Sequence, residues 1–122
     1  MEWKVSFLPD QQIVIIKTYG VADEASSLEM AKSISKTMMQ YKATKCIIDH
    51  SAIISVSGDS VEIYYRPQEL SETGISSGVK IAEVVRPAHK EHFGFLEAVC
   101  RSRGFSFRVF EDQESAIQWL TK

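Results

Sequence analysis

Apolar and polar residues alternate along the first part of the chain at the two-residue period of a β-strand. Trp3, Val5 and Phe7 are separated by polar residues, so one face of this segment is expected to pack on a core. The turn-forming residues 9–12 come next, and residues 13–16 are continuously apolar, as in a strand covered on both faces. The pattern predicts two antiparallel strands joined as a hairpin.

The apolar spacing changes to three and four residues after Gly20, which is the spacing of an amphipathic helix. Asp23 has the side chain of a helix N-cap, and residues 42–44 form the connection that follows. The segment therefore predicts a long first helix. The positions predicted to face the core are Leu28, Ala31, Ile34, Met38 and Tyr41.

Three more strands and two more helices are predicted outside the region 51–78. Residues 45–49 and 79–85 are short apolar runs, which are typical of central strands, and residues 105–109 alternate as a further strand. Pro87 suits the first turn of a helix that ends before Gly104, and a last helix closes the chain. The inward-facing residues of these two helices are predicted to be Phe93, Leu96, Val99, Cys100, Ala116, Ile117 and Leu120.

The region 51–78 has weaker patterns. Asp59 and Glu62 have the spacing of a capping box, with an aspartate in place of the usual hydroxyl residue, which predicts that a helix begins there. Pro67 is expected to end or kink that helix and to begin a second helical piece. The Ser-Ser-Gly sequence at residues 76–78 predicts a turn before the fourth strand.

The order ββαβαβαβα predicts an α/β fold with a five-stranded mixed sheet, because helix-linked parallel strands cross over with a right hand. A chain of 122 residues is expected to form one domain, residues 1–122, and to bury roughly two thirds of the surface of its unfolded chain. Cys46 and Cys100 lie in apolar segments and are predicted to be buried thiols rather than a disulfide.

The tail of the chain resembles the SpoIIAA-like, or STAS-like, domains, in particular the small uncharacterised bacterial members. The order of elements matches over the whole chain, and this resemblance implies a βα superhelix. It also implies a non-enzymatic regulatory or protein-interaction domain related to anti-sigma-factor antagonists, while the related CRAL-TRIO fold binds lipids and other apolar ligands. The matching residues are Arg103-Gly104, Val109-Phe110, the acidic cap Asp112 and the helical Ala116-Ile117-Gln118-Trp119-Leu120.

The same resemblance implies a candidate phosphorylation switch at the start of the second helix. Residues 49–51 (Asp-His-Ser) match the first part of the antagonists' strand-to-helix segment, in which a serine is phosphorylated. An ungapped match places Asp59 at that serine, and a shift of one or two residues brings Ser57 or Ser60 there. Either one of these serines is the switch, or the chain lacks it and the three residues cap a helix.

Two functions fit these patterns. A regulatory domain would bind a protein partner through the surface of residues 49–65, where Tyr64 and Tyr65 are candidate contacts and equally candidates for the core. A carrier of a small apolar ligand or lipid would instead have a pocket under the second helix. The lining of that pocket would be Ile53, Ile54, Val56, Ile63, Tyr64 and Leu70.

Polar residues are predicted to gather where the third and fourth strands end. Asp49, His50 and Ser51 close the third strand, and Arg86 follows the fourth. Ligands bind at this end of parallel strands in open α/β sheets. Together with His89 and the amino end of the following helix, these residues could hold an anion or form a salt-bridged rim without a ligand.

Three enzymatic or metal-binding interpretations fail on chemistry. Cys100 is preceded by a helical pattern and followed by a strand, the reverse of the amide cradle that activates a sulfurtransferase cysteine. Asp49 lacks the acidic pair that a magnesium-dependent phosphoacceptor needs, and His89 and His92 have no third ligand fixed by spacing. The chain is expected to be non-enzymatic and to need no cofactor or metal.

Charge and hydropathy argue against other partners. The 14 basic and 16 acidic residues give a net charge of -2 and are spread along the chain, without the basic stripe that nucleic acids require. No apolar run approaches the roughly 20 residues of a membrane span, and the first residues form no hydrophobic targeting segment. A cytoplasmic location is expected.

Overall fold

The computed structural model describes residues 1–57, 60–75 and 78–122, and of residues 60–62 it describes the backbone. Five strands and four helices follow one another in the predicted order, and a 3-10 turn at Pro87–His89 precedes the third helix. The strands are β1 (Glu2–Leu8), β2 (Ile13–Ala22), β3 (Lys45–Val56), β4 (Lys80–Val84) and β5 (Ser106–Phe110). The helices are α1 (Glu24–Tyr41), α2 (Ser60–Glu72), α3 (Lys90–Ser102) and α4 (Gln113–Leu120).

The strands form one sheet in the sequential order β1-β2-β3-β4-β5. β1 is antiparallel to β2, with Leu8 opposite Ile13, and every later pair is parallel. The register has no shift at the centre of the sheet, where Ile47 pairs with Ile15 of β2 on one side and with Ala82 of β4 on the other. The predicted five-stranded mixed sheet and its hairpin are confirmed.

Helices cover both faces of the sheet. One face packs against α1, α2 and α3 in the larger core, and the other packs against α4. Residues of the larger core include Val14, Ile16, Met30, Ile34, Cys46, Ile48, Ile63, Leu70, Ile81, Phe93, Leu96, Cys100 and Phe107. The smaller core consists of Ile13, Ile15, Ile47, Ala82, Val84, Ala116 and Leu120.

The predicted helix boundaries at Asp23, Asp112 and Gly104 are confirmed by local geometry. Asp23 Oδ1 accepts a hydrogen bond of 2.8 Å from the N–H of Ser26, and Asp112 Oδ1 accepts one of 2.7 Å from the N–H of Ser115. These backbone donors, with the serine hydroxyls, lower the pKa of both carboxyls below its usual value. Gly104 has a φ of +89°, a conformation that glycine adopts without strain.

Two strands are longer than the sequence pattern predicts. β2 continues to Ala22 and β3 to Val56, beyond the predicted ends at residues 16 and 49. The register shifts between Lys17 and Tyr19 and again between Gly20 and Val21. Each shift puts an extra β3 residue into the ladder, so the simple alternation of inward and outward positions is lost. The apolar pattern therefore ends before the strands do.

The helix predictions need three corrections. α2 runs unbroken through Pro67. Proline cannot donate the usual helical hydrogen bond, but its ring is buried on the side of α2 that faces the core, and this burial offsets the lost bond. Tyr41 is 42% exposed and stacks on Phe7 at 4.2 Å instead of entering the core. Leu28 is half-buried, and Met30 takes the inward position. The predicted cap at Asp59 lies outside the described residues.

Candidate functional site

A bulge in β3 brings Thr18 and His50 together on the sheet face under α2 and α3. Lys17 is opposite Asp49 and Tyr19 is opposite Ala52, so two β3 residues occupy the space beside Thr18. Thr18 Oγ1 lies 2.7 Å from His50 Nδ1, and both side chains are buried. A polar contact thus replaces apolar packing at this point of the core.

Glu83 on β4 extends the contact to the neighbouring strand. Its Oε2 is 3.3 Å from His50 Nε2, and its side chain is 5% exposed. Phe93 of α3 stacks on the imidazole ring of His50, with the two ring centres 4.7 Å apart and the rings nearly parallel. Thr18, His50 and Glu83 therefore form one hydrogen-bonded chain across three strands, shielded from solvent by α3.

Thr18 has one hydroxyl proton and two neighbouring groups that could accept it. Its Oγ1 donates to the carbonyl oxygen of Asp49 at 3.2 Å and lies 2.7 Å from His50 Nδ1. While that proton serves the carbonyl oxygen, the hydroxyl oxygen can accept a hydrogen bond from an Nδ1–H of His50. Thr18 thereby links the backbone of β3 to the imidazole.

Arg66 of α2 and Glu83 of β4 line the same two small cavities between α2 and the sheet, each about 30 Å³ in volume. The first cavity is also lined by His50, Ser57 and His92. The second cavity is mainly apolar and is lined by residues that include Ala31, Ile34, Ile48, Leu70, Ile75, Ile81 and Phe107. Each has room for roughly one or two water molecules.

Two charged side chains beside these cavities have atoms without a hydrogen bond. Among the residues that the structure describes, four buried side-chain atoms have no hydrogen-bond partner: Arg66 Nε and Glu83 Oε1 beside the cavities, and also Glu69 Oε2 and His89 Nδ1. Arg66 Nε is 3.3 Å from Glu69 Oε2, but that ion pair lacks the alignment of a hydrogen bond. Buried polar atoms nearly always have partners, so the two atoms beside the cavities identify where a partner or a water molecule is needed.

The polar residues predicted at the strand ends do not all face one way. Asp49 is buried, and its Oδ1 accepts a hydrogen bond of 2.9 Å from the N–H of Ser51. His50 turns into the core towards Glu83, while Arg86 is exposed beyond β4. His89 ends the 3-10 turn and is half-buried. Anion binding by these residues stays a prediction.

Ser57 is exposed just after β3 and three residues before α2 begins. Its N–H donates to the carbonyl oxygen of Ala22 at 2.8 Å, and its hydroxyl is 3.4 Å from the same oxygen. Ser60 is the first residue of α2, but its side chain lies outside the described residues, as does all of Asp59. Of the candidate switch residues, Ser57 is thus the one whose surroundings are described, and its switch role stays a prediction.

Three apolar side chains near this end of the sheet face solvent. Tyr64 and Tyr65 are 51% and 52% exposed, with their rings edge to face at 5.4 Å, and Ile54 of β3 is 74% exposed. The guanidinium of Arg103 lies 4.9 Å from the centre of the Tyr64 ring. The predicted pocket lining is therefore wrong for Ile54 and Tyr64, because both point away from the core that holds Ile53, Ile63 and Leu70.

The two thiols lack the lowered pKa of a reactive cysteine. Burial raises the pKa of Cys46 and Cys100 to about 12, so both stay protonated at neutral pH. Burial disfavours the charged form of a histidine, which is the protonated one, and so it lowers the pKa of His92. Within residues 1–57, 60–75 and 78–122, no three His, Cys, Asp or Glu side chains are grouped to hold a metal ion. None of the described helices has both the length and the apolar character needed to cross a membrane.

Sequence reasoning missed Thr18, Arg66 and Glu83. Glu83 interrupts the apolar run of residues 81–85 on a central parallel strand, where a carboxylate is rarely buried without a partner. Arg66 stands between Ile63 and Leu70 in an otherwise apolar stripe of α2. Charged residues at core-facing positions were the signal that could have identified both.

The sequence matches no model of a known protein family and no curated protein. Solved structures do resemble it. An anti-sigma factor antagonist from Mycobacterium paratuberculosis superposes with a TM-score of 0.69 at 13% identity, covering 99% of this chain and 94% of that one.

Two further structures support the same fold. An uncharacterised protein from Shewanella loihica with a SpoIIAA-like fold has a TM-score of 0.60 at 16% identity, with 98% and 92% of the two chains covered. The anti-sigma factor antagonist SpoIIAA in its unphosphorylated form has a TM-score of 0.56 at 16% identity, with 98% and 97% covered. The chain therefore has the SpoIIAA-like fold, as the sequence resemblance implied.

Proposed function

We propose that this chain is a STAS-type regulatory domain, spanning residues 1–122, that binds a protein partner and catalyses no reaction. The observation that carries the proposal is the pair of exposed aromatic side chains Tyr64 and Tyr65 in the first half of α2. Large apolar side chains that lie together and face solvent are typical of protein-binding surfaces. Two proteins of the same fold are anti-sigma factor antagonists, so the partner class we propose is an anti-sigma factor.

Regulation of this binding by phosphorylation is part of the proposal. Ser57 is exposed three residues before α2 begins, and its hydroxyl makes one long hydrogen bond of 3.4 Å, so a kinase could reach that hydroxyl. Ser60 remains the second candidate by sequence. A phosphate would add about -1.5 to -2 charges at neutral pH next to the partner-binding surface, which would weaken the binding of an acidic partner.

A lipid carrier receives no support from the cavities under α2. Each holds about 30 Å³, which suits water rather than an acyl chain, and Ile54 and Tyr64 face solvent. Protein binding is therefore the function that we propose.

The test compares matched surface variants for binding to one identified partner. The partner is captured from the native host with the full chain, purified, and titrated against Tyr64→Ala, Tyr65→Ala and Met39→Ala. Met39 is 77% exposed near the C-terminal end of α1, outside the proposed binding surface. The variant Met39→Ala therefore controls for the loss of any exposed apolar side chain. The tyrosine variants should weaken binding at least about tenfold and Met39→Ala should not. Equal affinity of all three would contradict the proposal.

The phosphorylation step has its own test. Protein purified from the native host is analysed by mass spectrometry for phosphoserine, and Ser57→Ala and Ser60→Ala are compared with wild type. Phosphate at either serine, together with reduced partner affinity, would support the switch. Phosphate absent from both serines under conditions in which the partner dissociates would show that binding is not regulated in this way.

A further inference from the structure

The face of α2 that touches the core includes a charged residue. Among the described side chains, the inward positions are Ile63, Arg66, Pro67 and Leu70, spaced as one face of a helix. Ile63 and Leu70 belong to the larger core, and the Pro67 ring is buried. The side chain of Arg66 is 16% exposed, so its charge is largely withdrawn from water. Its ion pair with Glu69, at 3.3 Å, lies within the same helix and joins Arg66 to no other element.

Glu83 supplies the opposite charge on the sheet. Its side chain is more deeply buried than that of Arg66, and both residues line the same two cavities. Their fields also reach the same groups. Burial has the largest effect on the pKa of His92 and Cys100, and beyond it Glu83 raises and Arg66 lowers both pKa values. The two charges thus act in opposite directions on the same neighbouring groups.

We propose that Arg66 and Glu83 form an electrostatic latch, bridged by ordered water in the two cavities, that holds α2 on the sheet. The unsatisfied atoms Arg66 Nε and Glu83 Oε1 are the groups that such water would join, and each cavity is large enough for it. The ion pair of Arg66 with Glu69 lies within α2 and cannot fasten that helix to another element.

The latch also orients the surface to which we assign partner binding, and this step rests on the proposed function. Tyr64 and Tyr65 immediately precede Arg66 on the helix. Because successive helix residues point in different directions, holding Arg66 against the sheet keeps both tyrosine rings outward. Arg66 and Glu83 are thus positioning residues for the binding surface and need not touch the partner themselves.

Hydrogen exchange of the full-length protein tests the latch without any partner. The variants are Arg66→Gln, Glu83→Gln, the double variant, and Glu69→Gln as the control that removes only the intrahelical pair. In each latch variant, the amide protons of residues 63–66 and 68–72 should exchange about tenfold faster than in wild type, because a charge-assisted contact has been lost. Residues 13–16 and 45–48, which lie in central strands, should be unchanged, and Glu69→Gln should change α2 by less than about twofold.

The double variant decides whether the two residues act together. If they form one latch, it should exchange about as fast as either single variant, because the second substitution removes nothing further. Multiplied effects of the two substitutions would overturn the proposal, and so would an equal response to Glu69→Gln. If Glu83→Gln unfolds the sheet, the comparison of the exchange rates of Arg66→Gln and Glu69→Gln still tests the latch. Arg66 lies at the partly exposed edge of the core, so its substitution is expected to leave the protein folded. Failure to find a partner would leave this exchange result untouched.

Discussion

His50 lies beside Thr18 because β3 has one more residue than β2 at this point of the sheet. The bulge places the imidazole on the same face as the threonine, 2.7 Å from its hydroxyl oxygen, and the other ring nitrogen points to Glu83. A β-bulge is a common means of redirecting a side chain within a sheet. Here it places three polar side chains in hydrogen-bonding contact within a parallel sheet, whose interior is ordinarily apolar.

Substitution of Thr18 by valine should destabilise the protein by about 1 to 3 kcal/mol. Valine keeps the shape of the side chain but leaves His50 Nδ1 and the carbonyl oxygen of Asp49 without their hydroxyl partner. Urea unfolding at pH 7 measures the change. The control is Thr121→Val, because the hydroxyl of Thr121 is also hydrogen-bonded, to the carbonyl of Ile117, but is exposed. If both variants lose equal stability, the buried chain has no special role.

Truncation of Leu120 to alanine should cost about 2 to 5 kcal/mol. Leu120 is 1% exposed in the smaller core, where α4 covers the far face of the sheet beside Ala116. The neighbouring Trp119 packs partly against Phe110 and has the amine of Lys80 4.7 Å from its ring centre. Chemical denaturation gives the value, and a loss near zero would mean that α4 is not docked in solution.

Features decided within a few residues could be predicted from the sequence. The N-caps at Asp23 and Asp112 and the turn at Gly104 depend on a side chain or a φ angle and its immediate neighbours. The order of elements followed from these boundaries and from the apolar runs between them. The chain's resemblance to SpoIIAA-like domains pointed to the same fold.

Features decided by contacts between distant segments could not be predicted in the same way. The extra length of β3 depends on bulges against β2, which shift the register and remove the two-residue pattern. The continuity of α2 through Pro67 depends on burial of its ring against the core. Arg66 and Glu83 meet only after α2 docks, so neither local segment predicts the pair.

The two thiols should be unreactive in the folded protein. Cys46 and Cys100 are fully buried and free, and Cys100 lies in the last turn of α3 instead of in a cradle of amides. Incubation with thiosulfate should leave Cys100 unmodified, and iodoacetamide at pH 8 should label both thiols only after urea is added. Mass spectrometry detects either product. A persulfide on Cys100 in the native protein would contradict this expectation.

The same thiols should make the protein less stable at alkaline pH. Their pKa rises from the ordinary 9.0 to about 12 in the folded state, so above pH 9 the unfolded chain ionises first. Their contribution is therefore constant below pH 9 and is lost as the pH rises towards 12. Between pH 7 and pH 10, wild type should lose more unfolding free energy than the double variant Cys46→Ala, Cys100→Ala. An equal loss would show that other groups account for the change.

Replacement of glycine by alanine should have opposite effects at Gly94 and Gly104. Gly94 lies inside α3 with open space around an added methyl group, so Gly94→Ala should stabilise the protein by about 0.5 to 1 kcal/mol. Gly104 also has open space, but its φ of +89° is unfavourable for alanine, and Gly104→Ala should cost about 1 to 2 kcal/mol. Because neither methyl group meets a neighbour, backbone conformation alone separates the two variants. Urea unfolding at constant m-value measures both, and effects of the same sign would show that the left-handed turn after α3 is not maintained in solution.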